Sequence, residues 1–120
     1  MNMDLKSAVI NYQFAERAKS ELIVCSQLVA ALGGFQKTEQ AGGRRMLVMI
    51  LEATRSELEF ARKTTELSDF RKAADLLSEA ISMTESDHLD TAALRLGEAV
   101  TASTTVAQES WQVLHEHGIF

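Results

Sequence analysis

Apolar and small side chains recur every three or four residues from the start of the chain: Leu5, Ala8, Tyr12, Ala15, Ala18, Leu22, Cys25, Val29 and Leu32. That period predicts a helix from about Asp4 to Leu32 with one inward face. Asp4 is suited to cap its start. Gly33 and Gly34 are suited to a left-handed stop.

The next segment, Phe35–Gly43 (FQKTEQAGG), reads in two ways. Thr38, followed by Glu39 and Gln40, can cap a helix that carries Gly42 and Gly43 in its first turns, at about 1 kcal/mol each against alanine. Otherwise the helix begins after Gly43. The Thr38 start is preferred, because the helix then reaches about Glu66. It is then roughly 29 residues and about 43 Å long, a match for the first helix that suits antiparallel neighbours. Six apolar residues in a row follow, Met46 to Leu51 (MLVMIL). One helix face cannot hold six consecutive positions, so this turn is either buried all round or partly turned towards a second chain. Leu58, Ala61 and Thr65 continue the inward stripe, while Arg55–Glu59 and Glu59–Lys63 form charge pairs on the wet side.

A third helix is expected from Asp69 to Thr84, capped by Ser68, with Phe70, Ala73, Ala74, Leu77, Ala80, Ile81 and Thr84 inward. Ser86–Asp87 starts a fourth, running from about His88 to His117 and stopped by Gly118, with Asp90 favouring its first turn. Leu89, Ala93, Leu96, Val100, Ser103, Ala107, Ser110 and Leu114 share a face. Its middle, Ala99–Gln108 (AVTASTTVAQ), has no charge and mostly small side chains. Serine and threonine are mediocre helix formers, so tertiary packing must hold this stretch, either inside the bundle or across a dimer seam.

Composition sharpens this picture. The chain has 120 residues and no proline, where average usage would give roughly six. Long helices and minimal turns are the expected consequence. Hydrophobic content of 46% and charged content of 24% are ordinary globular values for one domain, residues 1–120. The net charge of −5 is uneven: residues 1–37 carry +1, residues 38–67 balance, and residues 68–120 carry −6. The acidic second half disfavours nucleic acid as a partner. The apolar run Leu22–Leu32 is eleven residues, too short to span a bilayer, and follows a charged amphipathic stretch rather than a short basic leader. No membrane association is expected, and a cytoplasmic setting is. The single cysteine, Cys25, sits between Leu22 and Leu28 and reads as a buried thiol with no base nearby.

Residues 69–82 (DFRKAADLLSEAIS), with Phe70, Ala73, Leu76, Leu77, Ala80 and Ile81, resemble the second helix of a tetratricopeptide repeat. Residues 92–100 (AALRLGEAV) resemble a first helix through Leu96, Gly97 and Ala99, and Phe60 and Ala61 fit the end of a preceding one. The resemblance spans residues 56–100, with an apparent period of 36 between Ala61 and Gly97 against the usual 34. The same residues are similar to a microtubule-interacting-and-trafficking domain. Ser68 stands where the repeat has a turn glycine, and the repeat's proline is missing. The resemblance implies protein or peptide binding. The expected architecture is all-α: a four-helix antiparallel up-down bundle with a tetratricopeptide-like hairpin of helices 3 and 4.

Candidate chemistry is sparse. Di-iron bundles need Glu-x-x-His on two helices. Glu85–His88 is the one match, and it straddles a turn where capping explains it. His115 and His117 stand two apart, so they do not share a helix face. Arg44 and Arg45 after Gly42–Gly43 would hold an anion if the helix began at Gly43, although no Walker pattern follows. No catalytic, cofactor or metal site is assigned. The expected function is non-enzymatic: binding another protein, or self-association as a dimer, through Met46, Val48, Met49, Leu51, Trp111 and Phe120. The alternative is a small-ligand or metal-binding bundle with a cavity lined by Met46, Met49, Tyr12 or Trp111.

Overall fold

The structure is a computed structural model that describes residues 3–120. It contains four helices: α1 Leu5–Gly33, α2 Lys37–Thr65, α3 Ser68–Glu85 and α4 Leu89–Glu116. They form a rod 54 × 24 × 18 Å. Each helix packs on its chain neighbours, and α4 closes the ring on α1, so α1 faces α3 across one diagonal and α2 faces α4 across the other. The short turns reverse direction each time. The result is the expected antiparallel up-down bundle.

The inward faces are those set by the three-and-four spacing. Leu22, Leu51, Leu58, Phe70, Leu77 and Leu96 are buried to within 1% of complete exclusion from solvent. Such side chains stabilise by roughly 1.5–3 kcal/mol each. The α1–α4 seam is the most extensive. Both helices bury small residues, Ala8 and Ala15 on α1 and Ala99, Ser103 and Ala107 on α4, which permit close approach. The uncharged stretch of α4 therefore packs largely inside this chain, with Thr101 and Gln108 left exposed. Its threonines turn their hydroxyls back on the helix: Thr104 donates to the Val100 carbonyl at 2.8 Å and Thr105 to Thr101 at 3.1 Å.

The helix ends differ from expectation in four places. Asp4 does cap α1, its Oδ1 accepting the Ser7 N–H at 2.7 Å. The α1 stop is not left-handed: Gly34 has φ −93°, and its N–H bonds the Ala31 carbonyl three residues back. Thr38 does not cap α2, which begins one residue earlier at Lys37, after Gln36. Ser68 is the first residue of α3 rather than its cap, which is Leu67. α4 begins at Leu89, because Asp87 is left-handed (φ 63°) and still belongs to the turn. Gly118 is left-handed as expected (φ 73°). Glu66, at φ 58°, closes α2 in the same conformation without being glycine.

Candidate interaction face

Beside their core faces, α1 and α2 each turn a second row outward, apolar at its ends and charged at its middle. On α2, Leu47, Leu51, Thr54, Leu58 and Ala61 point into the core. A second stripe lies about 80–100° round the helix, at Met46, Ile50, Ala53, Glu57 and Phe60. The run Met46–Leu51 is where the two stripes overlap. On α1, Phe14, Arg17, Glu21, Val24 and Leu28 form the matching outer row. Exposure follows this geometry: Met46 68%, Met49 67%, Phe60 63%, Val24 49% and Ile50 40%. α3 leaves no large hydrophobic side chain exposed, and α4 leaves only Leu94 and Trp111.

Between the two rows lies a groove of about 350 Å³, walled by Phe14, Ala18, Leu58, Phe60 and Ala61. It exists because α1 and α2 meet less extensively than any other neighbouring pair. Phe14 forms its end, with its ring centroid 5.8 Å from Phe60 and 6.4 Å from the buried Phe70. At mid-length Arg17 bridges the rows, its Nε donating to Glu21 at 3.0 Å and its Nη2 donating to Glu57 across the groove. The Glu21 carboxyl beside Glu57 pushes the latter's pKa up, with partial burial adding to the effect and Arg17 opposing it. The groove thus carries one charged layer in an apolar rim.

The residues singled out from sequence divide. Met46 and Met49 are exposed on this face, while Val48 packs partly against the core on the other side of α2. Leu51 is fully buried and cannot belong to a surface. Trp111 and Phe120 lie elsewhere, at the α4 end. The tail folds back there: the Ile119 N–H donates to the Leu114 carbonyl at 2.9 Å, and Phe120 packs against Tyr12 with centroids 5.4 Å apart. Trp111 stacks on His115 at 4.8 Å. Tyr12 and Trp111 line a separate shallow cleft, which neither Met46 nor Met49 reaches. Of the four side chains considered for a cavity, only Tyr12 and Trp111 line one depression together.

The anion site also fails on geometry. With α2 starting at Lys37, Arg44 and Arg45 sit in its third turn, where the backbone N–H groups are already used. Arg44 instead reaches Asp87 at 3.0 Å, tying α2 to the α3–α4 turn. Among the described residues, no group of three His, Cys, Asp or Glu side chains is placed to hold a metal ion, and no helix is long and apolar enough to cross a membrane.

Phe14 and Val24 escaped the sequence reading, Ile50 entered it only as a member of the Met46–Leu51 run, and Phe60 only through the tetratricopeptide resemblance. Their signal was the second period-matched row on each helix, masked because the first row already satisfied the amphipathic pattern. Fold and face together define an all-α up-down bundle with one open, apolar inter-helix face. Comparison with protein families, curated proteins and solved structures finds no match for this chain.

Proposed function

We propose that this protein works by binding, with the α1–α2 face as the surface that receives another protein. The concentration of exposed apolar side chains on these two helices carries the reading. Soluble chains rarely leave large apolar side chains clustered and uncovered without using them, and adjacent helices with outward rows of apolar residues are the form in which helical partners are accepted. The core supports binding over catalysis. Its buried polar side chains among the described residues are Asn11, Thr54, Thr84, Ser103 and Ser110, none of which titrates in the working range. Bundle enzymes need clustered ionisable groups inside.

Affinity capture from the source cells tests this, using the wild-type chain beside Ile50→Asp, which charges the face without entering the core. Partners retained by the wild type and lost by the variant, with both chains equally helical by circular dichroism, are the expected result. Identical capture by both chains overturns the reading.

A further inference from the structure

We infer that the occupant of the α1–α2 face is a second copy of this chain, docked about a two-fold axis that runs along the groove. The inference rests on the binding role proposed for this face and names its partner.

The argument begins with what lies level with what. Within one chain Phe14 meets Phe60, and Arg17 meets Glu57 across the groove. At the far end the Phe35 and Leu32 side chains lie against Gly43. Antiparallel helices with these levels fixed bring Val24 opposite Ile50 and Leu28 opposite Met46, seven and then four residues further along from the Arg17–Glu57 level. A two-fold axis parallel to the helices lays α1 of one copy over α2 of the other without changing any level. Phe14 then covers the partner copy's equivalent of Phe60, Val24 covers that of Ile50, and Leu28 covers that of Met46. In the charged layer Arg17 of each copy faces Glu57 of the other, while Glu21 falls opposite the small Ala53.

Every adjacent pair in the resulting four-helix layer is antiparallel, as within the monomer. The other two-fold arrangement, with its axis across the helices at mid-face, sets Glu21 against Glu21 and Arg17 against the level of the apolar Val24. One polar layer inside an apolar helical interface is a known device for fixing register and orientation. The face between the Phe14 and Leu28 levels is about 21 Å long and, for two helices, about 20 Å wide. Two such faces bury on the order of 1,000 Å² once side chains interdigitate, the lower bound for a specific interface. A dissociation constant in the micromolar range is the corresponding expectation.

Sedimentation equilibrium from about 5 to 200 μM, with charge-exchanged variants, tests the inference. Wild-type protein is expected to move from monomer towards dimer across this range. Arg17→Glu opposes like charges across the axis, Glu57→Lys does the same, and each alone is expected to weaken association at least tenfold. An equimolar mixture of the two variants restores both cross-axis pairs and therefore the dimer. The pairing inside one chain cannot produce that recovery, because neither variant regains it. Circular dichroism of each variant confirms the bundle. A wild-type monomer at 200 μM overturns the inference, as does a mixture that stays monomeric or a dimer untouched by Ile50→Asp. A monomer that nevertheless loses captured partners on Ile50→Asp keeps the face as an interface and overturns only the second copy as its occupant.

Discussion

The ring of Phe35 rests on the backbone of Gly43: a Cβ at that position would stand 2.8 Å from the ring's Cε2 and 2.9 Å from Leu32 Cδ1. Glycine is what lets the α1–α2 turn fold onto the first turns of α2. Its neighbour Gly42 has nothing within 4 Å of the same construction. Both lie inside a helix, where alanine is favoured by about 1 kcal/mol. Gly42→Ala is therefore expected to stabilise by about that amount. Gly43→Ala forfeits the same benefit, because the buried Leu32 and the Phe35 ring must both move. Urea midpoints of the two variants should differ in that order, and equal midpoints would contradict the close approach.

Ser103 and Ser110 are fully buried, and their hydroxyls find no hydrogen-bond partner among the described residues. An unpaired buried hydroxyl costs roughly 1–3 kcal/mol, and alanine is the better helix former. Ser103→Ala and Ser110→Ala are each expected to raise stability by about 1 kcal/mol, read as a higher thermal midpoint. A loss of stability would show that these hydroxyls are paired in solution.

Cys25 is 1% exposed and lies 3.6 Å from the Thr54 hydroxyl. Burial pushes its thiol pKa up, more than the Thr54 hydrogen bond lowers it. Reagents attack the thiolate, so labelling in the native protein has to wait for opening of the α1–α2 contact. Reaction with a disulfide reagent is expected to be slower than in urea by more than about 10³-fold, the scale of the unfolded population. Fast labelling of folded protein would mean that α1 and α2 part locally.

The inward faces were legible because one three-and-four stripe per helix decides what is buried, and proline's absence left no break to place. Helix ends were less legible: Glu66 and Asp87 adopt left-handed conformations normally left to glycine, which local composition does not announce. The face was legible only at Met46 and Met49. A six-residue apolar run signals that two stripes overlap but not which members lie on each. Leu51 was misplaced for that reason, and Phe60, twelve residues from Val48 and isolated among charges, was passed over as a surface residue. Trp111 and Phe120 looked like interface anchors by type, yet they pack with Tyr12 and His115 on the α1–α4 side of the rod, away from the groove.

Glu57 links the face to pH. Its carboxyl is held above the ordinary value chiefly by the neighbouring Glu21, with burial second and Arg17 opposing. A carboxyl whose folded pKa exceeds its unfolded one supports folding fully below the unfolded value, and that support disappears as pH rises through the folded value. The charged form at neutral pH is therefore the unfavourable one, and a neutral amide removes the conflict. With a side chain 41% exposed, Glu57 is well screened, so the effect stays below about 1 kcal/mol. Glu57→Gln is expected to be slightly more stable than wild type at pH 7 and indistinguishable from it near pH 4. Urea titrations of both chains at the same low concentration check this. A variant less stable than wild type at pH 7 would show instead that Arg17 outweighs Glu21 at this position.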